Sequence, residues 1–283
     1  MTRRTFEGWY YKHQFHHEAL ICIPSIYEED GHRSGFIQLV FKDQMHYLEY
    51  EESEIGRVSD TCVELGKNVF TSYGIHLDNE WMVADLSYGA LTPLRYDIMG
   101  IFAYMPNMEC RHGVLSLYHE VHGEVMWEQE RIKVEGVGYI EKDRGTAFPS
   151  EYCWFQSNAF QSKACVLFAM AKIPIFKFNF WGHFAVIFDG EKEYRFATYL
   201  GAKLLQCDEH YLRLKQGNYY LRIRVDGQQG IALKAPNQQG MQRMIHEAIE
   251  CEGEVWLFKK RQLIFHEKTS AASYEWCINE ISQ

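Results

Sequence analysis

The chain has 283 residues, of which 47% are hydrophobic and 15% aromatic, and its 38 acidic against 29 basic side chains give a formal net charge of −9. That length accommodates two ordinary domains with aromatic-rich cores. The scattered Lys and Arg give no electrostatic footprint for nucleic acid or for an anionic lipid surface, which removes those partners from consideration.

The start, MTRRTFEGWYYKHQ, carries a basic pair but no apolar h-region, and charged residues interrupt every apolar run well before a membrane span. A soluble, unexported, cytoplasmic protein with no membrane span is therefore expected. The eight cysteines, Cys22, Cys62, Cys110, Cys153, Cys165, Cys207, Cys251 and Cys277, are far apart and include no C-x-x-C spacing. Reduced thiols are the expectation for a chain of this size.

In chain order, the first strand signal is Phe6 to Lys12, which in extended form puts Glu7, Trp9 and Tyr11 on one side and Phe6, Tyr10 and Lys12 on the other. Aromatics on both sides imply burial of both. Glu7 is then either an ion-paired core residue or an acid in an aromatic-lined cavity. Further strands are expected over Gly35 to Phe41, Trp81 to Leu86 and Gly113 to Leu117.

Just before the last of these, Met105-Pro106-Asn107-Met108-Glu109-Cys110-Arg111-His112-Gly113 brings an acid, a thiol and an imidazole together beside a glycine where backbone can approach a ligand. Glu109 and His112 are candidate ligand contacts. The run His119-Glu120-Val121-His122 places its histidines three apart in a strand-like context rather than four apart on a helix, so no metal site is expected there.

Gly136 to Ile140 reads as a strand and leads into Gly138-Tyr139-Ile140-Glu141-Lys142-Asp143-Arg144-Gly145. Extended geometry puts Glu141 and Asp143 on one face. Two nearby carboxylates disfavour each other's ionisation, so one can serve as a general acid, unless Lys142 and Arg144 neutralise them. A domain boundary is expected at this junction, giving an N-terminal domain over 1–140 and a C-terminal domain over 141–283.

Beyond it come Trp154-Phe155-Gln156-Ser157-Asn158, a hairpin around Asp189-Gly190, and a second hairpin in which Leu221 to Val225 would pair with Ile231 to Leu233 across Asp226-Gly227. Met241 to Glu252 fits a helix or a strand equally, and Val255 to Phe258 fits a strand. Many short strands with at most short helices make an all-β barrel or sandwich the expected fold. No phosphate loop, dinucleotide fingerprint or nucleophile elbow is present, which argues against nucleotide-dependent and serine-hydrolase chemistry.

Four ordered stretches, FEGWYYK, IMGIFAYMPNMECRHGVLS, GYIEKDRGTAFPSEYCWFQSN and FATY, together resemble the tocopherol cyclase family. The resemblance runs from about residue 6 to the end and departs at Arg144, where the family carries an aromatic, most often Trp. It implies a lipocalin-like fold akin to hydroxyneurosporene synthase and AttH proteins, with two β-barrel or sandwich units and a hydrophobic ligand cavity. It also implies cofactor-free and metal-free chemistry, in which an acid protonates a prenyl double bond and a phenolic oxygen closes the ring. The candidate acids are then Glu7, Glu141 and Asp143. Trp9, Tyr10, Tyr139 and Trp154 would line the cavity, and Gln156 and Asn158 would orient a phenol. A non-catalytic carrier of an isoprenoid or other lipid shares these expectations except for the acid.

Overall fold

The computed structural model describes residues 4–105, 108–175, 178–227, 230–237 and 240–278. Pro106 and Asn107 of the Met105 to Gly113 stretch lie outside them. The described chain is built of β-strands joined by tight turns and three short 3₁₀ turns, Glu52–Glu54, Gly100–Tyr104 and Thr198–Leu200. It forms two compact units, one chiefly Met1–Leu94 and Cys110–Ala147, the other Arg95–Glu109, Phe148–Asn237 and Met241–Gln283. No helix among the described residues is long and apolar enough to cross a membrane.

The first unit holds β1 (Arg4–Phe15), β2 (Glu18–Glu29), β3 (His32–Phe41), β4 (Gln44–Tyr50), β5 (Ile55–Ser59), β6 (Cys62–Leu65), β7 (Asn68–Thr71), β8 (Gly74–Asp78), β9 (Met82–Tyr88), β10 (Cys110–Trp127) and β11 (Glu130–Gly145). They make one antiparallel sheet in the order β4-β3-β2-β1-β11-β10-β9-β8-β7-β6-β5. Two meanders are thus joined where the unit's first strand pairs with its last.

The sheet curls until its ends nearly meet. The Asn68 amide on β7 donates to the Tyr50 hydroxyl on β4 (2.8 Å), and His46 of β4 stacks on Trp81 with ring centroids 3.9 Å apart. Alternation sends Trp9, Tyr11 and Phe15 of β1 inward against Leu39, Phe41, Phe70, Val121, Trp127 and Ile140.

The same inward face carries a buried polar group. The His13 Nε2 lies 2.6 Å from the Tyr88 hydroxyl, the Tyr88 ring packs on His119 at 4.5 Å, and His119 Nδ1 lies 3.0 Å from Ser116 Oγ. Gly138 is opposite both histidines in the ladder, and a Cβ there would collide with the His119 ring. Glycine at this position is what admits an imidazole into the barrel. Burial pushes His13 down to about 4 and His119 down to about 3 from the usual imidazole value, the latter helped by repulsion from His13.

The second unit holds β12 (Tyr152–Ser157), β13 (Cys165–Ile175), β14 (Phe178–Phe188), β15 (Glu193–Ala197), β16 (Lys203–Cys207), β17 (Tyr211–Gln216), β18 (Tyr219–Asp226), β19 (Ile231–Asn237), β20 (Gly240–Lys259) and β21 (Gln262–Cys277). The order is β15-β14-β13-β12-β21-β20-β18-β17-β16, with β19 also pairing β20. Again the unit's first strand pairs with its last. The Gln216 side chain stitches β17 to β15, accepting from Ala197 N–H (3.1 Å) and donating to Arg195 O (3.0 Å). Phe155, Phe168, Phe196, Leu214, Ile223 and Leu257 share its core.

The all-β expectation holds, and so does the hairpin at Asp189-Gly190. Asp189 Oδ1 accepts the N–H groups of Glu191 and Lys192 (3.0 and 2.7 Å), and Gly190 takes a φ of 98°. The second expected hairpin differs: β18 pairs with β17 and β20, while β19 pairs with β20. The 20-residue β20, which includes Met241 to Glu252 as strand, takes the edge of β18 that a local hairpin would have used. Ile140 lies inside β11, and the chain changes unit after Ala147.

Candidate functional site

Because β1 pairs with β11 and β11 with β10, residues more than a hundred positions apart become neighbours. His112 stands directly opposite Asp143, Asp143 opposite Gly8, and Tyr10 opposite Glu141. Residues directly opposite share a face, so His112, Glu141, Asp143, Tyr139 and Tyr10 lie on one side of the sheet. Trp9, Tyr11 and Ile140 occupy the other side, which is the barrel core.

His112 lies between the two carboxylates, with Nδ1 3.0 Å from Asp143 Oδ1 and Nε2 3.6 Å from Glu141 Oε2. The Tyr139 hydroxyl donates to Glu141 Oε2 at 2.5 Å, and the Cys110 thiol lies 3.6 Å from Asp143 Oδ1. The side chains are largely buried: 13% of His112, 7% of Glu141 and 19% of Asp143 is exposed. A phenol, a carboxyl, an imidazole and a second carboxyl thus form a short chain of proton-holding groups on a rigid three-stranded segment. The same three donors come within 4.8 Å of one another and could hold a metal ion.

The other face holds a separate charge cluster. Lys142 Nζ lies 2.9 Å from Glu7 Oε2, 2.8 Å from Asp60 Oδ1 and 4.4 Å from the Trp9 ring centroid. The hydrogen bond from Lys142 holds the Asp60 carboxyl below the usual carboxylate range. Glu7 and Trp9 are therefore not brought to Glu141, Asp143 and His112, and Lys142 makes its two close ion pairs on the far side of the sheet from them. Arg144 follows the same alternation and is exposed, so the family's aromatic position is not on the Glu141 face.

In the second unit, Cys153 and Phe155 point into the core, which leaves Trp154 and Gln156 on the opposite face. Both are buried, as is Asn158, and the Gln156 amide donates to Asn158 Oδ1 at 3.4 Å. Trp154 is opposite Glu275, whose carboxylate accepts a short hydrogen bond from the Tyr152 hydroxyl. Burial, and next the Glu275 charge, pushes the Tyr152 phenol well above its ordinary value. Tyr152, Glu275 and the buried Glu247 were not singled out by sequence reasoning, since they bear on a site only once β20, β21 and β12 are adjacent. Glu109 immediately precedes β10 and belongs to the second unit.

The family model described as "Tocopherol cyclase-like" matches residues 81–277, and the chain belongs to that family. The solved structure of an AttH-type protein from Nitrosomonas europaea is similar in fold, with a TM-score of 0.56 at 10% identity over 98% of this chain and 93% of that one. No curated protein matches the chain in sequence.

Proposed function

We propose that the protein is a cofactor-independent, acid-dependent cyclase of a prenylated phenol or quinol, or of a similar isoprenoid. The observation that carries the reading is the buried Tyr139–Glu141–His112–Asp143 chain. An apolar binding wall requires only hydrocarbon and aromatic surface, whereas a proton-transfer reaction requires a line of groups that can give and regain a proton.

In this reading a proton passes from the Glu141–His112–Asp143 group to the less substituted carbon of the prenyl double bond nearest the ring. The resulting tertiary cation is attacked by the phenolic oxygen, and the phenol's proton returns to the same group. No atom is gained or lost, so the reaction is an isomerisation. Tyr10 and Tyr139, on the same face, supply aromatic surface next to the cation, worth about 0.5 to 2 kcal/mol each. Burial of the cluster excludes water that would trap the cation as an alcohol. Trp154, Gln156 and Asn158 would offer a hydrophobic ligand surface within the second unit. Glu7 serves as the ion-pair partner of Lys142. Eight cysteines in reduced form fit a reducing, cytoplasmic setting.

The test is turnover of a prenyl quinol by the Glu141→Gln variant. A loss of at least about 100-fold is expected for removal of the acid. Unchanged turnover removes acid catalysis by Glu141. Stoichiometric retention of the quinol without conversion by the unaltered protein favours a non-catalytic carrier of isoprenoids or lipids.

A further inference from the structure

We propose that His112, Glu141 and Asp143 also form a site for one divalent transition ion of the zinc class, whose binding occupies the groups used in catalysis; this rests on the acid-cyclase reading and adds a regulation of that same site. Among the described residues these three are the one group of His, Cys and carboxylate side chains that brings three donor atoms within 4.8 Å.

One donor atom from each residue can be chosen so that all three lie within 4.8 Å of one another. Zinc–nitrogen and zinc–oxygen bonds run about 2.0 to 2.2 Å, so donors sharing a tetrahedral ion sit about 3.3 to 3.5 Å apart. His112 Nδ1 lies 3.0 Å from Asp143 Oδ1 and His112 Nε2 lies 3.6 Å from Glu141 Oε2, so the ring stands between the two carboxylates and would give a single ion only one of its nitrogens. A tetrahedral set needs the His112 ring to turn one nitrogen toward both carboxylates, while the β10–β11 ladder fixes the backbone positions of all three residues.

The donor chemistry points the same way. The imidazole nitrogen favours a borderline ion over a hard alkaline-earth ion. The Tyr139 hydroxyl on Glu141 is the kind of outer partner that orients a ligating carboxylate. A dication also balances the two buried carboxylates. By contrast, the His76–Asp85 pair is a two-membered, exposed contact without a third donor, and it serves as the internal control.

The experiment is titration of the chelator-treated full-length protein with Co2+, read by its visible absorption, followed by displacement with Zn2+. One Co2+ per chain is expected, with affinity weakened at least tenfold in Asp143→Asn and unchanged in His76→Gln. Equal affinity in Asp143→Asn, or an equal loss in His76→Gln, overturns the site. Should Asp143→Asn fail to fold, X-ray absorption of the Zn2+ adduct of the unaltered protein decides. A shell with one imidazole and carboxylate oxygens supports the site, and a shell lacking imidazole overturns it. Turnover is measured separately. Full activity at saturating Zn2+ overturns the regulation, whereas Co2+ binding by a protein that cyclises no prenyl quinol retains the site and rejects the acid-cyclase reading.

Discussion

Lowering the pH should destabilise the first unit through the two histidines inside its barrel. His13 is held down to about 4 and His119 to about 3, against an ordinary value of 6.5. Both folded values lie below the unfolded one, so the unfolded chain takes up protons that the folded barrel refuses, and stability falls as pH drops below about 6.5. Between about pH 7.5 and pH 5 each ring contributes a loss of roughly 2 kcal/mol, and the pair about 4 kcal/mol. That is a large part of the roughly 5 to 15 kcal/mol that holds a typical domain folded.

The assay is equilibrium urea unfolding at both pH values for the unaltered protein and for His119→Leu. Leucine fills a similar volume and cannot titrate, so the acid-induced loss should shrink by about 2 kcal/mol in the variant. Whatever His119→Leu does to stability at pH 7.5, the pH increment isolates the titration. An increment identical in the two proteins would refute the argument that burial of His119 sets this acid sensitivity.

Two further outcomes follow from the sheet geometry. Gly138→Ala should destabilise the first unit by about 1 to 3 kcal/mol, since its methyl group collides with the His119 ring inside a packed barrel, and thermal unfolding measures it. Arg144→Trp, which restores the family's usual aromatic, should leave turnover within about threefold because strand alternation puts residue 144, itself exposed, on the face of the sheet opposite Glu141; a larger change in kcat would contradict that placement.

Much of the candidate site was legible in alternation alone. The period-two pattern separates Glu141 and Asp143 from Lys142 and Arg144, and Trp9 from Tyr10, before any strand partner is known, because successive side chains of a strand must leave on opposite faces. The turn at Asp189-Gly190 was equally legible, since its hydrogen bonds run between residues two and three apart. Membership of the tocopherol cyclase-like family was visible in four short motifs.

Only the tertiary structure decided which faces meet. The pairing of β1 with β11 puts Tyr10 beside Glu141 and leaves Glu7 with Lys142 on the other side, a distinction that residue types alone do not carry. The choice of β20 over β19 as the partner of β18, and of strand over helix for Met241 to Glu252, arises the same way. Local preference sets which residues can be strands and which way their side chains point. Strand partners are set by hydrogen bonds and cores shared across the whole chain, and those energies exist only once distant segments have come together.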